Sequence, residues 1–119
     1  MCRRGEDAAN IELKIKGGKT KTIKVLQERS VKKKNFAKLI GHLNDLRSSA
    51  IHQPGYVTGE TLIKGSDPID VLVISTWISE DHWKAWTTSE ERIELNDMIN
   101  GIIEGDAKIS IYEVPTGEE

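Results

Sequence analysis

Apolar residues along this chain fall into short runs whose spacing alternates between two residues and three to four. The first clear run, about Thr20 to Val31, alternates and reads as a strand. Before it, IELKIK and then Gly17 and Gly18 suggest a hairpin partner, either an extra edge strand or a partner-binding arm. From about Lys33 to Ser49 the period changes. Phe36, Leu39, Ile40, Leu43 and Leu46 fall on one face of a helix. His52, Gln53, Pro54 and Gly55 end it in a turn. Strands follow at about Tyr56 to Lys64 and about Ile69 to Trp77, joined by the short loop Gly65, Ser66, Asp67 and Pro68. Ser79 reads as the N-cap of a helix reaching about Trp86, with Glu80 and Asp81 in its first turn. Ser89 caps another, whose apolar face holds Leu95, Met98, Ile99, Ile102 and Ile103, and Gly105 suits its C-terminal cap. A last strand runs from about Ala107 to Val114.

The order is β-α-β-β-α-β, which predicts an α+β, ferredoxin-like sandwich: four antiparallel strands with helices on one face. VLVI at residues 71–74 lacks the polar alternation of a half-exposed strand and reads as buried on both faces. Helices cover only one face, so the other needs a cover. A second copy of the chain supplies it, giving a two-fold dimer packed sheet on sheet.

Composition narrows the class. The chain has 119 residues, 37% hydrophobic and 30% charged, enough for one core and one domain. Its net charge of −2 makes no overall case for nucleic acid. The charge is uneven: residues 1–38 hold 12 Lys and Arg against 4 Asp and Glu, and the remainder holds 5 against 15. Lys32, Lys33 and Lys34 read either as an anion-attracting patch or as a solvated edge. No apolar stretch is long enough to cross a bilayer, and the opening residues lack a signal-peptide core. The expected address is the cytoplasm. A single cysteine, and His42, His52 and His82 in no zinc-ligand spacing, give no metal site.

PGYVTGETL at 54–62, VLVISTW at 71–77 and WKAWTTSEER at 83–92 resemble the antibiotic biosynthesis monooxygenase family. The similarity covers about Ile23 to Val114. It implies a dimeric α+β barrel, with a family-like domain at 20–115 between an extension (1–19) and a tail (116–119). It also implies a cleft between sheet and helices in each subunit. The family's characterised oxygenases oxidise electron-rich polycyclic phenols with molecular oxygen, without metal or flavin. A related branch binds and opens haem. There a Trp matching Trp86 lines the pocket, a His ligates iron and an Asn assists. Here the His position is Asn96 and the Asn position is Glu28 or close to it, so haem chemistry is disfavoured and no cofactor is expected.

Cofactor-free oxygenation needs a pocket that binds an aromatic, removes a phenolic proton and stabilises the resulting anion. Trp77, Trp83 and Trp86 offer stacking surface, or are core and interface residues. His82 is the natural base of the tryptophan region, though it lies in a helix's first turn beside two acids. Arg92 and Asn96, four apart, point together at a phenolate or form a solvated face. Glu28 and Glu60 lie on strands that could face the cleft, each as a base or as the partner of an arginine such as Arg29 or Arg47. Tyr56 bonds a ligand or caps the sheet edge. The reading is an oxygenase of a quinol or polyphenol. The alternatives are a non-catalytic dimer that binds a small ligand or a partner, and, below that, a haem binder.

Overall fold

The computed structural model describes residues 21–115. The elements are β1 (Ile23–Val31), α1 (Phe36–Ala50), β2 (Tyr56–Lys64), β3 (Ile69–Trp77), α2 (Glu80–Thr87), α3 (Glu90–Asn100) and β4 (Glu104–Glu113). The strands form one sheet in the order β2-β3-β1-β4, antiparallel throughout. This is the ferredoxin-like α+β arrangement. The IELKIK run, the 1–9 segment and the 116–119 tail lie outside the described residues.

Several helix ends differ from expectation. Lys33–Asn35 form a short 3-10 turn, and α1 starts only at Phe36. The helix α3 stops at Asn100, where the Gly101 N–H returns to carbonyls of the last turn. Gly105 is therefore not the cap. It sits at φ 69° near the start of β4, which begins at Glu104 rather than Ala107. Ile102 and Ile103 pack against the core from the connecting turn, and Met98, expected on the buried face, is exposed. The two serine caps form as their sequence context dictates. Ser79 Oγ accepts the His82 N–H at 3.2 Å and Ser89 Oγ accepts the Arg92 N–H at 3.3 Å.

The core is split in two. Val31, Leu39, Leu43, Ile69, Val71 and Ile99 pack at one end of the sheet. Ile23, Val25, Ala50, Trp77 and Trp86 pack at the other. The break between them is written in the strands. Successive strand residues alternate faces, so the helix-facing row of β1 reads Ile23, Val25, Gln27, Arg29, Val31. Opposite it, β3 presents Ile69, Val71, Val73, Ser75 and Trp77, with Gln27 across from Val73 and Arg29 across from Val71. Both rows are apolar at their ends and interrupted in the middle. Gln27 and Arg29 stand where the β1 row stops being apolar, and the two clusters separate there.

The other sheet face carries no helix. On it, Leu26 pairs with Ile74 and Leu62 with Leu72. Leu26, Leu72 and Ile74 are half-buried and Leu62 is exposed. Within the single chain β3 is thus buried mainly on its helix-facing side, at Ile69, Val71 and Trp77. Thr76, the buried exception, accepts a hydrogen bond from Lys24 Nζ at 2.9 Å.

Candidate functional site

Between the two core clusters lies a narrow cleft of about 580 Å³, including its open mouth. Gln27, Arg29, Val73 and Ser75 make its floor, α1 gives one wall, and Trp83, Trp86 and Arg92 close it from α2 and α3. Only about 70 Å³ of this is free interior, so an aromatic ligand would occupy the open mouth as well.

The indoles are fixed from several sides. Trp77, 1% exposed, donates its Nε1–H to Ser75 Oγ at 3.1 Å. Tyr56 meets it edge to face, with centroids 5.4 Å apart. Trp86 is buried in the same cluster, and Trp83 is half-buried against it. Trp86 is therefore both core and cavity wall, while Trp83 keeps a free face. Gly59 lets Tyr56 in: a Cβ there would stand 2.6 Å from the tyrosine hydroxyl. Arg47 closes this side by donating to the Gly59 carbonyl at 2.7 Å.

The floor is cationic. Arg29 is 4% exposed. Its Nη2 donates to Gln27 Oε1 at 2.9 Å, and its Nε has no acceptor. Burial, and then the charge of Arg92, hold its pKa down to about 10. Burial also lowers Arg92.

The residues singled out in the sequence divide. Trp77, Trp83, Trp86, Tyr56 and Arg92 line the cleft; Glu60 borders it only through its stretch of the edge strand β2, because its place opposite Ile74 puts its exposed side chain on the helix-free face. Asn96 is half-buried on α3, one turn beyond Arg92, and does not reach the cavity. Glu28 lies on the helix-free face, because a shift of one residue along a strand exchanges faces. His82 is held away from the cleft. Its Nδ1 lies 2.7 Å from Ser79 Oγ, and its ring packs against Gly55, whose φ of 87° and missing Cβ make room for it. His52 is exposed and His42 half-buried, and neither lines the cavity. Gln27 and Arg29 are the site residues that sequence reasoning passed over as site residues. The signal was present: two polar residues at core-facing positions of a strand otherwise apolar on that side.

The wall carries no histidine, cysteine or methionine, and no group of three metal-ligating side chains occurs among the described residues. The residues present thus do not fit the histidine ligation of the haem branch.

The model of the antibiotic biosynthesis monooxygenase family matches residues 22–96. A comparison with curated proteins finds no match. Among solved structures, a proposed antibiotic biosynthesis monooxygenase from Nitrosomonas europaea is similar at 17% identity and a TM-score of 0.73, over 82% of this chain and 96% of that one. A second such protein, from Caulobacter crescentus CB15, gives 14% and 0.75 over 82% and 93%. SnoaB, a cofactor-independent oxygenase from Streptomyces nogalater, gives 10% and 0.71 over 81% and 95%. At such identities these structures speak for the fold, and the family match covers more than half of the sequence: the chain belongs to the antibiotic biosynthesis monooxygenase family.

Proposed function

We propose that this chain is a cofactor-independent monooxygenase, which oxidises an electron-rich aromatic substrate, a quinol or polyphenol, with molecular oxygen and works as a cytoplasmic homodimer. The supporting observation is the cleft itself, which brings Trp77, Trp83 and Trp86 together with the guanidinium groups of Arg29 and Arg92.

The chemistry asks for an anion and for protection from water. Trp83 and Trp86 stack on the substrate ring, and Trp77 and Tyr56 shape the far end. Arg92 and Arg29 favour the ionised phenol, so the proton leaves more readily, to solvent at the open mouth. The phenolate delocalises its negative charge onto an unsubstituted ring carbon ortho or para to its oxygen. That carbanion transfers an electron to O2, and the radical pair joins to form a C–O bond. Protonation gives a hydroperoxide, which loses water and leaves a carbonyl. One oxygen atom thus enters the substrate and the other departs as water, with every electron supplied by the substrate.

A second copy packed on the helix-free face would cover Leu26, Leu62, Leu72 and Ile74. The cleft lies on the opposite face of the sheet, so pairing leaves its mouth open.

Oxygen consumption with a panel of dihydroxynaphthalenes and hydroanthraquinones, in metal-free buffer, tests the activity. Protein-dependent uptake that fails on loss of Trp83 supports it. Binding of the same compounds with no uptake across the panel would leave a non-catalytic ligand-binding protein.

A further inference from the structure

A buried guanidinium ordinarily lies against a carboxylate. Arg29 has none among the described residues. Its one side-chain bond is to neutral Gln27, its Nε is enclosed without an acceptor, and the charge it senses, that of Arg92, has its own sign. Arg92, half-buried across the cleft, forms no ion pair among the described residues either. The nearest acid in sequence, Glu91, is held elsewhere, its Oε1 taking the Ser49 hydroxyl at 2.6 Å. Glu60, exposed and opposite Ile74, lies on the helix-free face. Two like charges share a narrow cleft, and no acidic side chain among the described residues pairs with either of them.

The geometry points to an anion subsite between the strand floor and the α3 wall of the cleft, in which Arg29 and Arg92 clamp the carboxylate of an aromatic acid whose ring lies beside Trp83. This rests on the cleft being the substrate site, and it narrows the substrate from any electron-rich phenol to one with a permanent negative charge. A carboxylate fits for three reasons. It is planar and matches the guanidinium fork. It is small enough for a narrow floor. Ser75, whose oxygen already takes the Trp77 indole proton, keeps a hydroxyl proton to donate to it. A neutral phenol satisfies none of the charge.

Calorimetric titration of the full chain with 3-hydroxy-2-naphthoate, its methyl ester and inorganic phosphate tests this near neutral pH. The acid is expected to bind at least ~10-fold more tightly than the ester, the scale of a charged hydrogen bond lost. Arg29→Met and Arg92→Met should each reduce that preference to about threefold or less while leaving the ester's affinity in place. Arg29→Lys, which keeps the charge, should retain part of it. Equal binding of acid and ester by the wild-type chain overturns the proposal, as does a preference that survives both Met variants. Competition against 3-hydroxy-2-naphthoate by inorganic phosphate as strong as that by benzoate, added as a small carboxylate for comparison, overturns the carboxylate assignment. Circular dichroism checks each variant's fold; should Arg29→Met not fold, the half-buried Arg92 carries the comparison. Oxygen uptake is read separately. Acid-selective binding without uptake removes the oxygenase reading and keeps the clamp, whereas uptake on neutral quinols without acid preference does the reverse.

Discussion

The ring of Tyr56, at the first position of β2, stands at 86° to that of Trp77, at the last position of β3, so that the two strand ends are joined by an aromatic edge-to-face contact. This contact depends on Gly59. An alanine there would bring a methyl to 2.6 Å from the tyrosine hydroxyl, well inside contact distance. Gly59→Ala should therefore destabilise the fold by about 1–3 kcal/mol, the usual cost of forcing extra volume into a packed site. Tyr56→Phe removes the oxygen and leaves the nearest ring carbon 3.7 Å away, an ordinary distance. The double variant should recover most of the loss. Urea unfolding of the four proteins closes the cycle, and additive effects would show that the contact does not set the cost.

The charge of Arg29 predicts an unusual trade. A base whose pKa is lower folded than unfolded opposes folding wherever both forms are charged, and the penalty fades only as pH rises through about 10. Arg29→Met should then stabilise the ligand-free protein by roughly 1–3 kcal/mol, less what is lost with the Gln27 bond. Between pH 5 and about 9 the gain should be flat, because Arg29 stays charged both folded and unfolded over that range. Chemical denaturation at three pH values measures it. A loss of stability on substitution would mean that the guanidinium is compensated in solution.

Trp83 and Trp86 should behave differently although both line the cleft. Trp86 is 6% exposed and packed within the Ile23 and Val25 cluster, so Trp86→Phe removes core contacts as well as stacking surface. Its thermal midpoint and any ligand affinity or turnover should fall together. Trp83 is half-buried. Trp83→Phe should cost under about 1 kcal/mol of stability yet weaken aromatic ligands severalfold, since base-like stacking on an indole is worth roughly 1–3 kcal/mol. Scanning calorimetry alongside ligand titration separates the two residues.

Much of the fold could be read from periodicity. Residues 56–64 and 69–77 have clear ends, Pro-Gly on one side and Gly-Ser-Asp-Pro between them, and the structure places β2 and β3 on those residues. The serine caps were equally legible, because an extended serine before two acids has few other local uses. The end of α3 was not. Ile102 and Ile103 continue the apolar spacing, and only tertiary packing shows that they reach the core from a turn. The site divided along the same line. Aromatic residues announce themselves by type, whereas Arg29 matters only through the face it takes. Once Ile23, Val25 and Val31 are set inward, Gln27 and Arg29 must follow and Glu28 must face away. His82 looked available because its chemistry suits a base, but its orientation follows from Ser79 and Gly55, which a chain-level reading does not weigh.

The helix-free face gives the last prediction. Ile74 stands on the central strand β3 beside Leu26 on β1, and Leu72 stands beside Leu62 on β2, so apolar side chains make a continuous stripe across three strands. Tyr112 extends it on β4 at 60% exposure. In a lone subunit this stripe meets water. A glutamate at position 74 would then be tolerated, since the residue is half-buried and points away from both core clusters. In a sheet-on-sheet dimer the same substitution buries two unpaired carboxylates, one from each subunit. Ile74→Glu should accordingly weaken self-association by a factor of ~100 or more, while the monomer keeps its secondary structure. Sedimentation equilibrium across a range of concentrations distinguishes the cases. A wild-type chain that sediments as a monomer, or a variant that dimerises as well as the wild type, would show that this face has no partner of its own kind.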